Sequence, residues 1–474
     1  MMFIKKLIVI YSLITFIAFI GLPKEVQCIT VKQEEELSRE VMKIVQKHFE
    51  FIEDPLIVNY VNKVGKNIIS ALPPQPFTYK FYIIKEDVYN AFATPGGNIF
   101  INSGLFEAMD TEDELAGILG HEIAHVVCRH ISQKIERSKK IGIGTLAGIA
   151  AGIFLGVGGA VTAASAVSIG SMAAAQSLTL AYSRENEMQA DQLGLKYTTK
   201  AGYSATGLLT MLNKIRSRQW FGSKQIPTYL TTHPAVEDRI IYISSWLENE
   251  KKETGQTSIK ASYDFEIAHT RIISIYGDEN RALRKFETDV KNYPSSAMAH
   301  YGYGLILSRT GNRKDAISHL KKALKKAAFN PNILKDLGRI YFLDGRFPEA
   351  YSTLNSANSL IQNDSETLFF LGRTQIGLGK PDEAVLTFEK LISTNPDYTQ
   401  ALYFLGEIYG KQEKFDKAHY YLGMYYNNKK QYKNARFHLY KALKIIKNQD
   451  KRRKIEKMLK EIKKNEAEIR KETY

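Results

Sequence analysis

Two different hydrophobic patterns divide the chain. Residues 29–250 mix the period of amphipathic helices with the alternation typical of strands, whereas residues 263–445 follow the helical period throughout. A polar segment at 251–262 lies between them and is predicted to be a linker. A Lys- and Glu-rich stretch at 446–474 is predicted to be a basic helical tail. The pattern therefore predicts an α+β domain followed by an all-α domain.

The first residues have the pattern of a targeting signal. Lys5 and Lys6 precede an uncharged run at 7–21, which is short for a membrane span. Residues 1–28 are therefore predicted to be a secretory signal peptide, with an uncleaved membrane anchor as the alternative.

The helical region has an internal repeat of 34 residues. Periods of this length are typical of stacked helix pairs. Small residues at this step are expected where two helices approach closely. Three such series occur: Gly304, Gly338, Gly372 and Gly406; Gly277, Gly311, Gly345 and Gly379; and Ala282, Ala316, Ala350, Ala384 and Ala418.

The repeat weakens towards its end. Leu422, Gly423 and Ala435 restart the pattern half a period early, so the last helices are expected to stack irregularly. Three apolar residues of the tail lie on one helical stripe and are expected to cap the final repeat: Ile455, Leu459 and Ile462.

A candidate metal motif lies in the first domain. Thr111 and Glu114 have the spacing of a capping box, which predicts that a helix begins there. This helix contains the sequence HEIAH, in which His121 and His125 stand one turn apart on the same face. Two imidazoles at this spacing can hold one ion, and Glu122 lies beside them to take a proton from water.

A catalytic zinc site needs a third protein ligand. The helical segment at 182–191 offers two carboxylates for this role, Glu185 and Glu187. His130 follows His125 by five residues, a spacing that predicts a different orientation and no part in the site.

The two motifs together resemble the metalloendopeptidase family that includes the CAAX prenyl proteases, HtpX and the periplasmic BepA-like proteases with tetratricopeptide repeats. The resemblance rests on HEIAH followed by Asn186-Glu187 and Ala190-Asp191. It implies that Glu187 is the third zinc ligand and that Asp191 supports a ligand histidine. Glu185 lacks this spacing and ranks below Glu187.

Two further segments fit the resemblance. The residues around Pro95, Gly96 and Gly97 predict a hairpin with a tight turn. In the family its edge strand pairs with substrate backbone, which implies a substrate-binding role for Asn90, Ala91, Phe92 and Ala93.

The second segment is Thr232-His233-Pro234 with Arg239 six residues after His233. The resemblance implies that His233 and Arg239 line the active site. His233 then either stabilises the transition state or acts as a fourth zinc ligand that blocks the site. The sequence leaves both roles open.

The helical region resembles the tetratricopeptide repeat. The resemblance rests on the pairs Leu337-Gly338, Leu371-Gly372 and Leu405-Gly406 and on the prolines Pro294, Pro331 and Pro396. The implied fold is a zincin-like (gluzincin) α+β metalloprotease domain, mostly helical with a small β-sheet, followed by an all-α tetratricopeptide-repeat solenoid. Such solenoids bind polypeptides.

The predicted function is that of a periplasmic zinc metalloendopeptidase with one Zn²⁺ per chain and chaperone-like activity. Its implied partners are unfolded or misassembled envelope proteins and, through the repeats, the outer-membrane assembly machinery. Two alternatives remain: an integral inner-membrane protease of the HtpX kind, and a non-proteolytic repeat scaffold.

Charge and apolar content refine these alternatives. The formal net charge of +15 occurs without a nucleic-acid recognition motif, so peripheral membrane association is a better explanation than nucleic-acid binding. Residues 141–183 carry no charge and are rich in Gly and Ala. We expect a buried or membrane-surface hairpin there, with a membrane-spanning hairpin as the alternative.

Overall fold

The computed structural model describes residues 29–137, 182–221, 228–254 and 262–472. The predicted signal peptide and nearly all of the apolar stretch lie outside these residues. The chain divides into two compact units, Met1–Ile272 and Ile273–Tyr474.

The described part of the first unit is mostly helical with a small sheet. Its strands are β1 (Lys80–Ile84), β2 (Ala91–Ala93) and β3 (Asn98–Asn102). Its helices are α1 (Val31–His48), α2 (Pro55–Ser70), α3 (Ser103–Glu107), α4 (Glu112–Val127), α5 (His130–Arg137), α6 (Arg184–Lys200), α7 (Thr206–Phe221), α8 (Thr228–Thr232), α9 (Val236–Thr254) and α10 (Tyr263–Arg271).

The sheet has the strand order β1-β3-β2. β1 runs parallel to β3, whereas β2 pairs antiparallel with it and places Phe92 opposite Phe100. Gly96 and Gly97 form the turn between β2 and β3 with φ angles of 80° and 90°, values that favour glycine. The predicted hairpin is therefore confirmed, and β2 is an edge strand.

Two glycines let the helices α4 and α6 cross at close range. A Cβ atom added to Gly194 would lie 3.0 Å from the backbone carbonyl carbon of Gly120, and one added to Gly120 would lie 2.1 Å from Thr198 Oγ1. Any larger side chain at this crossing would push the helices apart. The crossing brings the HEIAH residues of α4 to the acidic residues of α6.

Helix α10 packs within the first unit. The rings of Phe265 and Tyr60 lie 6.3 Å apart, and Arg271 Nη2 lies 2.6 Å from Asp54 Oδ2 in a buried ion pair. The unit therefore extends beyond residue 250, where the sequence placed the end of the first domain.

All regular secondary structure in the described part of the second unit is helical. A turn of π-helix, Ile272–Tyr276, begins at the last residue of the first unit and continues into the second. Its helices are α11 (Glu279–Asn292), α12 (Ala297–Arg309), α13 (Arg313–Lys326), α14 (Pro331–Leu343), α15 (Phe347–Leu360), α16 (Ser365–Gly377), α17 (Pro381–Thr394), α18 (Thr399–Lys411), α19 (Phe415–Asn428), α20 (Tyr432–Ile445) and α21 (Gln449–Glu472).

The two glycine series have different functions. A Cβ at Gly304, Gly338, Gly372 or Gly406 would clash with a side chain of the paired helix, as predicted. Gly311, Gly345 and Gly379 instead lie in the turns between helices, with φ angles of 88°, 75° and 72° and open space around them. The expectation of close helix approach is therefore wrong for these three, because their backbone conformation requires glycine.

The end of the array follows the irregular pattern in the sequence. Gly423 of α19 would clash with Leu439 of α20 if it carried a Cβ, so α19 and α20 pack as a further pair. Ile455 and Ile462 of α21 are fully buried against this pair, and Leu459 packs beside them. The tail therefore caps the array as predicted.

Among the described residues, no helix is both long enough and apolar enough to cross a bilayer.

Candidate metal centre

Helix α4 begins where the sequence predicted. Thr111 Oγ1 accepts a hydrogen bond from the backbone nitrogen of Glu114 at 3.3 Å, while Glu114 Oε2 accepts from the backbone nitrogen of Asp110 at 2.5 Å. The Glu114 side chain therefore bonds to the backbone nitrogen one residue before the N-cap residue, whereas in a capping box it would bond to the nitrogen of the N-cap residue itself. This start fixes the register that turns His121, Glu122 and His125 inward.

Four buried side chains converge between α4, α6 and the turn after α8. One nitrogen or oxygen atom of each lies within 4.8 Å of the corresponding atoms of the others: His121, His125, Glu187 and His233. Each of these residues is at most 1% exposed. The structure thus brings together the residues that the sequence predicted as ligands, while the rival Glu185 is exposed.

The proton on His121 is fixed by a carboxylate. His121 Nδ1 lies 2.7 Å from Asp191 Oδ1. Burial favours the neutral acid, but Arg239 and His121 outweigh it and hold the pKa of Asp191 below its ordinary value. An ionised carboxylate only accepts hydrogen bonds, so Nδ1 of His121 donates and its Nε2 presents a lone pair.

The proton on His125 is fixed by a second histidine. His125 Nδ1 lies 2.9 Å from His130 Nδ1, and His130 Nε2 lies 2.9 Å from Gln189 Oε1. The amide oxygen accepts from Nε2 of His130, which leaves its Nδ1 to accept from His125. Nε2 of His125 then also presents a lone pair. The expectation that His130 points elsewhere is wrong, because Arg129 adopts a φ of 54° and returns the chain towards α4.

This arrangement fits a bound cation. The two Nε2 lone pairs of His121 and His125 face each other at 3.0 Å, where they would repel without a positive charge between them. Both carboxylate oxygens of Glu122 and Oε1 of Glu187 are buried, and none of the three has a hydrogen-bond partner among the described residues. Buried acceptors of this kind are stabilised by a metal ion, and two imidazoles with a carboxylate are a typical set for a divalent transition metal.

Arg239 lies behind the group and joins its two acidic members. Its Nη1 donates to Glu187 Oε2 at 2.6 Å, and its Nε and Nη2 donate to the two oxygens of Asp191 at 2.7 Å each. Tyr242 also donates to Asp191. The guanidinium of Arg239 is therefore hydrogen-bonded to both Glu187 and Asp191 and fixes the orientation of these two carboxylates.

His233 occupies the remaining side of the group. Its Nδ1 lies 2.8 Å from Thr232 Oγ1, and its ring stacks on that of Tyr229 with centroids 4.2 Å apart. Its Nε2 lies 3.4 Å from Glu122 Oε1. Burial opposes the charged ring, but Glu187 and Glu122 outweigh this effect and raise the pKa of His233.

Tyr182 is a neighbour that the sequence did not single out for a role. Its ring stacks on His125 with centroids 3.7 Å apart, and its hydroxyl is buried without a hydrogen-bond partner among the described residues. No local spacing predicts this contact, since Tyr182 precedes α6 whereas His125 lies on α4.

The predicted substrate strand lies close by but is covered. Asn90 and Thr94 make hydrogen bonds to β3, so Ala91 and Ala93 between them point their backbone groups away from it. Ala91, Phe92 and Ala93 are nevertheless at most 1% exposed. The strand and the converging side chains are therefore both buried in this structure, with a small pocket beside them that Ala93 and His125 help to line.

Comparison with known families decides the class of this site. Residues 57–247, which include all of the converging side chains, match the model "Peptidase family M48". Models of the tetratricopeptide repeat match residues 307–367 and, separately, residues 277–331 and 371–418. The chain contains a metalloprotease domain of the M48 family. Its domain of this family precedes a tetratricopeptide-repeat array, and the scaffold alternative has no support.

Several characterised proteins are similar to this M48 protease along much of its length. The beta-barrel assembly-enhancing protease of Yersinia pestis is 26% identical over 351 residues, which cover 72% of this chain and 69% of that protein. The protein of the same name from Escherichia coli (strain K12) is 25% identical over 372 residues, covering 78% and 75%. The mitochondrial metalloendopeptidase OMA1 of Schizosaccharomyces pombe is 28% identical over 198 residues, covering 41% and 55%.

Proposed function

We propose that this M48 protease is a zinc endopeptidase with one Zn²⁺ per chain, held by His121, His125 and Glu187. The observation that carries the proposal is the pair of Nε2 lone pairs 3.0 Å apart beside the unpartnered oxygen of Glu187. Zinc bound there would supply Lewis acidity, lowering the pKa of a water to about 7 and polarising a peptide carbonyl.

Glu122 is the proposed general base. Both of its carboxylate oxygens are buried, and in the part of the chain that the structure describes neither has a hydrogen-bond partner. Burial favours protonation, but His233, His121 and His125 outweigh it and lower the pKa of Glu122. An ionised carboxylate in this position can take the proton of an attacking water and deliver it to the leaving amine nitrogen.

Asp191 and Arg239 are proposed to position the ligands. Asp191 fixes the tautomer of His121, and Arg239 holds Asp191 and Glu187 in a fixed relation through buried hydrogen bonds. From the sequence, Arg239 was expected to line the active site. Its contacts support the positioning role instead.

His233 is proposed to be a fourth ligand in the buried form of the site. Its Nε2 faces the converging group and has no hydrogen-bond partner within the described ranges. Opening of the site would then require His233 to leave the metal and the β2 edge to be uncovered. A substrate could pair with the outward backbone groups of Ala91 and Ala93, a mode that accepts many sequences.

The proposed setting is the periplasm, where the protease would act in the assembly and quality control of outer-membrane proteins. The support is the name shared by the relatives from Yersinia pestis and Escherichia coli, beta-barrel assembly-enhancing protease, together with the signal-like pattern at residues 1–28. Chaperone-like activity and contact with the assembly machinery through the repeats belong to the same proposal.

A trapping experiment in the cells that make the protein tests this setting. We expect Glu122→Gln to keep polypeptide clients bound, because the variant loses the base and retains the ligand set. Outer-membrane β-barrel proteins should be enriched with this variant in the periplasmic fraction, as measured by crosslinking and mass spectrometry. Recovery of the protein in the cytoplasm, or clients without outer-membrane proteins among them, would contradict the proposal.

A further inference from the structure

Two arginines stand at equivalent positions of consecutive repeats. Arg339 lies on α14 and Arg373 on α16, 34 residues later. Arg339 has acidic neighbours: its Nη2 lies 3.1 Å from Asp336 Oδ1 and its Nε 3.8 Å from Glu366 Oε1. Its charge is therefore compensated within the array.

The acidic neighbours are absent one repeat later. The residue 34 positions after Asp336 is Phe370, and the residue 34 positions after Glu366 is Gln400. The repeat thus retains the arginine and replaces both carboxylates with an aromatic ring and a neutral amide. Among the described residues, no carboxylate oxygen lies within 4.0 Å of the Arg373 guanidinium.

Aromatic rings surround Arg373 instead. Its Cζ lies 4.6 Å from the centroid of Phe342, 5.3 Å from that of Phe404 and 5.8 Å from that of Phe369. These rings come from α14, α16 and α18, three helices at successive steps of the repeat. Their faces stabilise a cation, but they offer no oxygen to its donors.

The environment leaves the guanidinium partly desolvated and accessible. Arg373, Phe342, Phe370 and Phe404 are all half-buried, so an extended ligand can reach them. Burial lowers the pKa of Arg373, as expected for a charge that has lost water without gaining an anion. A planar guanidinium with free donors matches a carboxylate, which accepts two parallel hydrogen bonds.

We propose that Arg373 and the rings of Phe342, Phe370 and Phe404 form a binding site for a carboxylate of a polypeptide, next to an apolar side chain of the same polypeptide. The carboxylate pairs with Arg373, and the apolar side chain packs on the rings. This site deepens the proposed function by naming the chemistry of the clients. It lies in the repeat unit and does not depend on the metal centre.

The carboxylate has two sources, a chain terminus or an acidic side chain, and four labelled peptides separate them. One carries a C-terminal Phe with a free carboxylate, and the second is the same peptide with a C-terminal amide. The third is amidated and carries Glu beside an internal Phe, and the fourth has Gln in place of that Glu. Binding to the full-length protein is followed by fluorescence anisotropy.

We expect at least one acidic peptide to bind the full-length protein roughly 10- to 100-fold more tightly than its neutral counterpart. Preference for the first peptide assigns a chain terminus, and preference for the third assigns a side chain. Equal binding of all four peptides overturns the proposal.

Substitution of Arg373 provides the second part of the test. Arg373→Gln keeps the length of the stem and should abolish the preference for the acidic peptide. Arg339→Gln is the matched control, since Arg339 is already neutralised, and it should change affinity less than about 3-fold. An unchanged acidic preference in Arg373→Gln would overturn the proposal.

A third variant and parallel assays keep the result interpretable. If Arg373→Gln does not fold by circular dichroism, Arg373→Lys keeps the charge while losing the paired donors, and should reduce the acidic preference without abolishing it. Full retention in that variant would count against the proposal. Zinc content and cleavage, measured on the same samples, report separately on the metal centre, so its failure is distinguishable from loss of peptide binding.

Discussion

At the scale of single residues, the two proposed ligand histidines depend on side chains that would not themselves touch the metal. A neutral imidazole binds a metal through one nitrogen only when the other carries the hydrogen. Asp191 fixes this state for His121, whereas His130 and Gln189 fix it for His125. The site therefore has two positioning systems of different chemistry.

The system behind His125 gives a specific prediction. We expect His130→Ala to weaken zinc binding by roughly 10- to 100-fold, because His125 loses the acceptor that orients its ring. Competition with a zinc chelator measures this affinity directly. Gln133→Ala on the same helix is the control, since among the described residues its side chain bonds to the backbone oxygen of Cys128 and to none of the converging side chains. Unchanged zinc affinity in His130→Ala would refute the positioning role.

The sequence predicted the converging residues better than it predicted the side chains that position them. His121 and His125 follow from helical spacing, and Glu187 follows from the family resemblance. His130 did not, because the left-handed conformation of Arg129 redirects the chain and is not visible in a periodic pattern. The contacts of Arg239 with Glu187 and Asp191 join α9 to α6, and no local rule predicts such long-range pairing.

At the scale of elements, helix crossings and turns are set by small residues. The repeat glycines at 304, 338, 372 and 406 were predictable because they recur at a fixed step. The crossing at Gly120 and Gly194 was not, since each glycine occurs once and only the tertiary structure pairs them. The hairpin of β2 and β3 could be predicted because its turn residues are local.

The repeat unit also contains two histidine pairs at the same sequence separation. The Nδ1 atoms of His300 and His319 lie 2.9 Å apart, as do those of His419 and His438. Burial first, and then the neighbouring His300 and Lys322, lower the pKa of His319 to about 4, although Asp315 opposes the shift. Tyr303 also packs against this ring. His319 is therefore neutral in the folded array at pH 7.

These pairs predict that the repeat unit loses stability in mild acid. Unfolded histidine titrates near pH 6.5, so below that pH the unfolded chain gains a proton that folded His319 does not bind. The stability should be complete above about pH 6.5 and fall as the pH decreases towards about 4. Thermal unfolding at pH 7.5 and pH 5, followed by circular dichroism, measures this loss.

A matched pair of variants isolates the contribution of His319. Between pH 7.5 and pH 5, the melting temperature of the His319→Gln variant should fall by less than that of the wild type. His48→Gln, at an exposed histidine of α1, should follow the wild type. An identical pH response in all three proteins would exclude His319 as the cause.

At the scale of the whole molecule, the chain combines a protease unit whose converging histidines and Glu187 are buried with a unit of tetratricopeptide repeats. The order of the two domains and the period of the repeats followed from the hydrophobic pattern. The burial of β2 and of the converging side chains could not be predicted from that pattern, because it results from the packing of segments that are distant in sequence.

The role proposed for His233 can be tested by substitution. If His233 is a fourth ligand in the buried form of the site, His233→Ala should cleave faster than the wild type while still binding one zinc. Slower cleavage with unchanged zinc content would instead assign it to transition-state stabilisation.

The central claim is that this chain hydrolyses peptide bonds with a metal held by His121, His125 and Glu187 and with Glu122 as the base. The most direct test is the rate at which the purified protein cleaves an unfolded polypeptide, with zinc content measured on the same sample. We predict that Glu122→Gln keeps one zinc per chain and loses cleavage by a factor of roughly 10² to 10⁴, and that a chelator stops the wild type. Cleavage by Glu122→Gln at the wild-type rate, or cleavage that resists the chelator, would contradict the account.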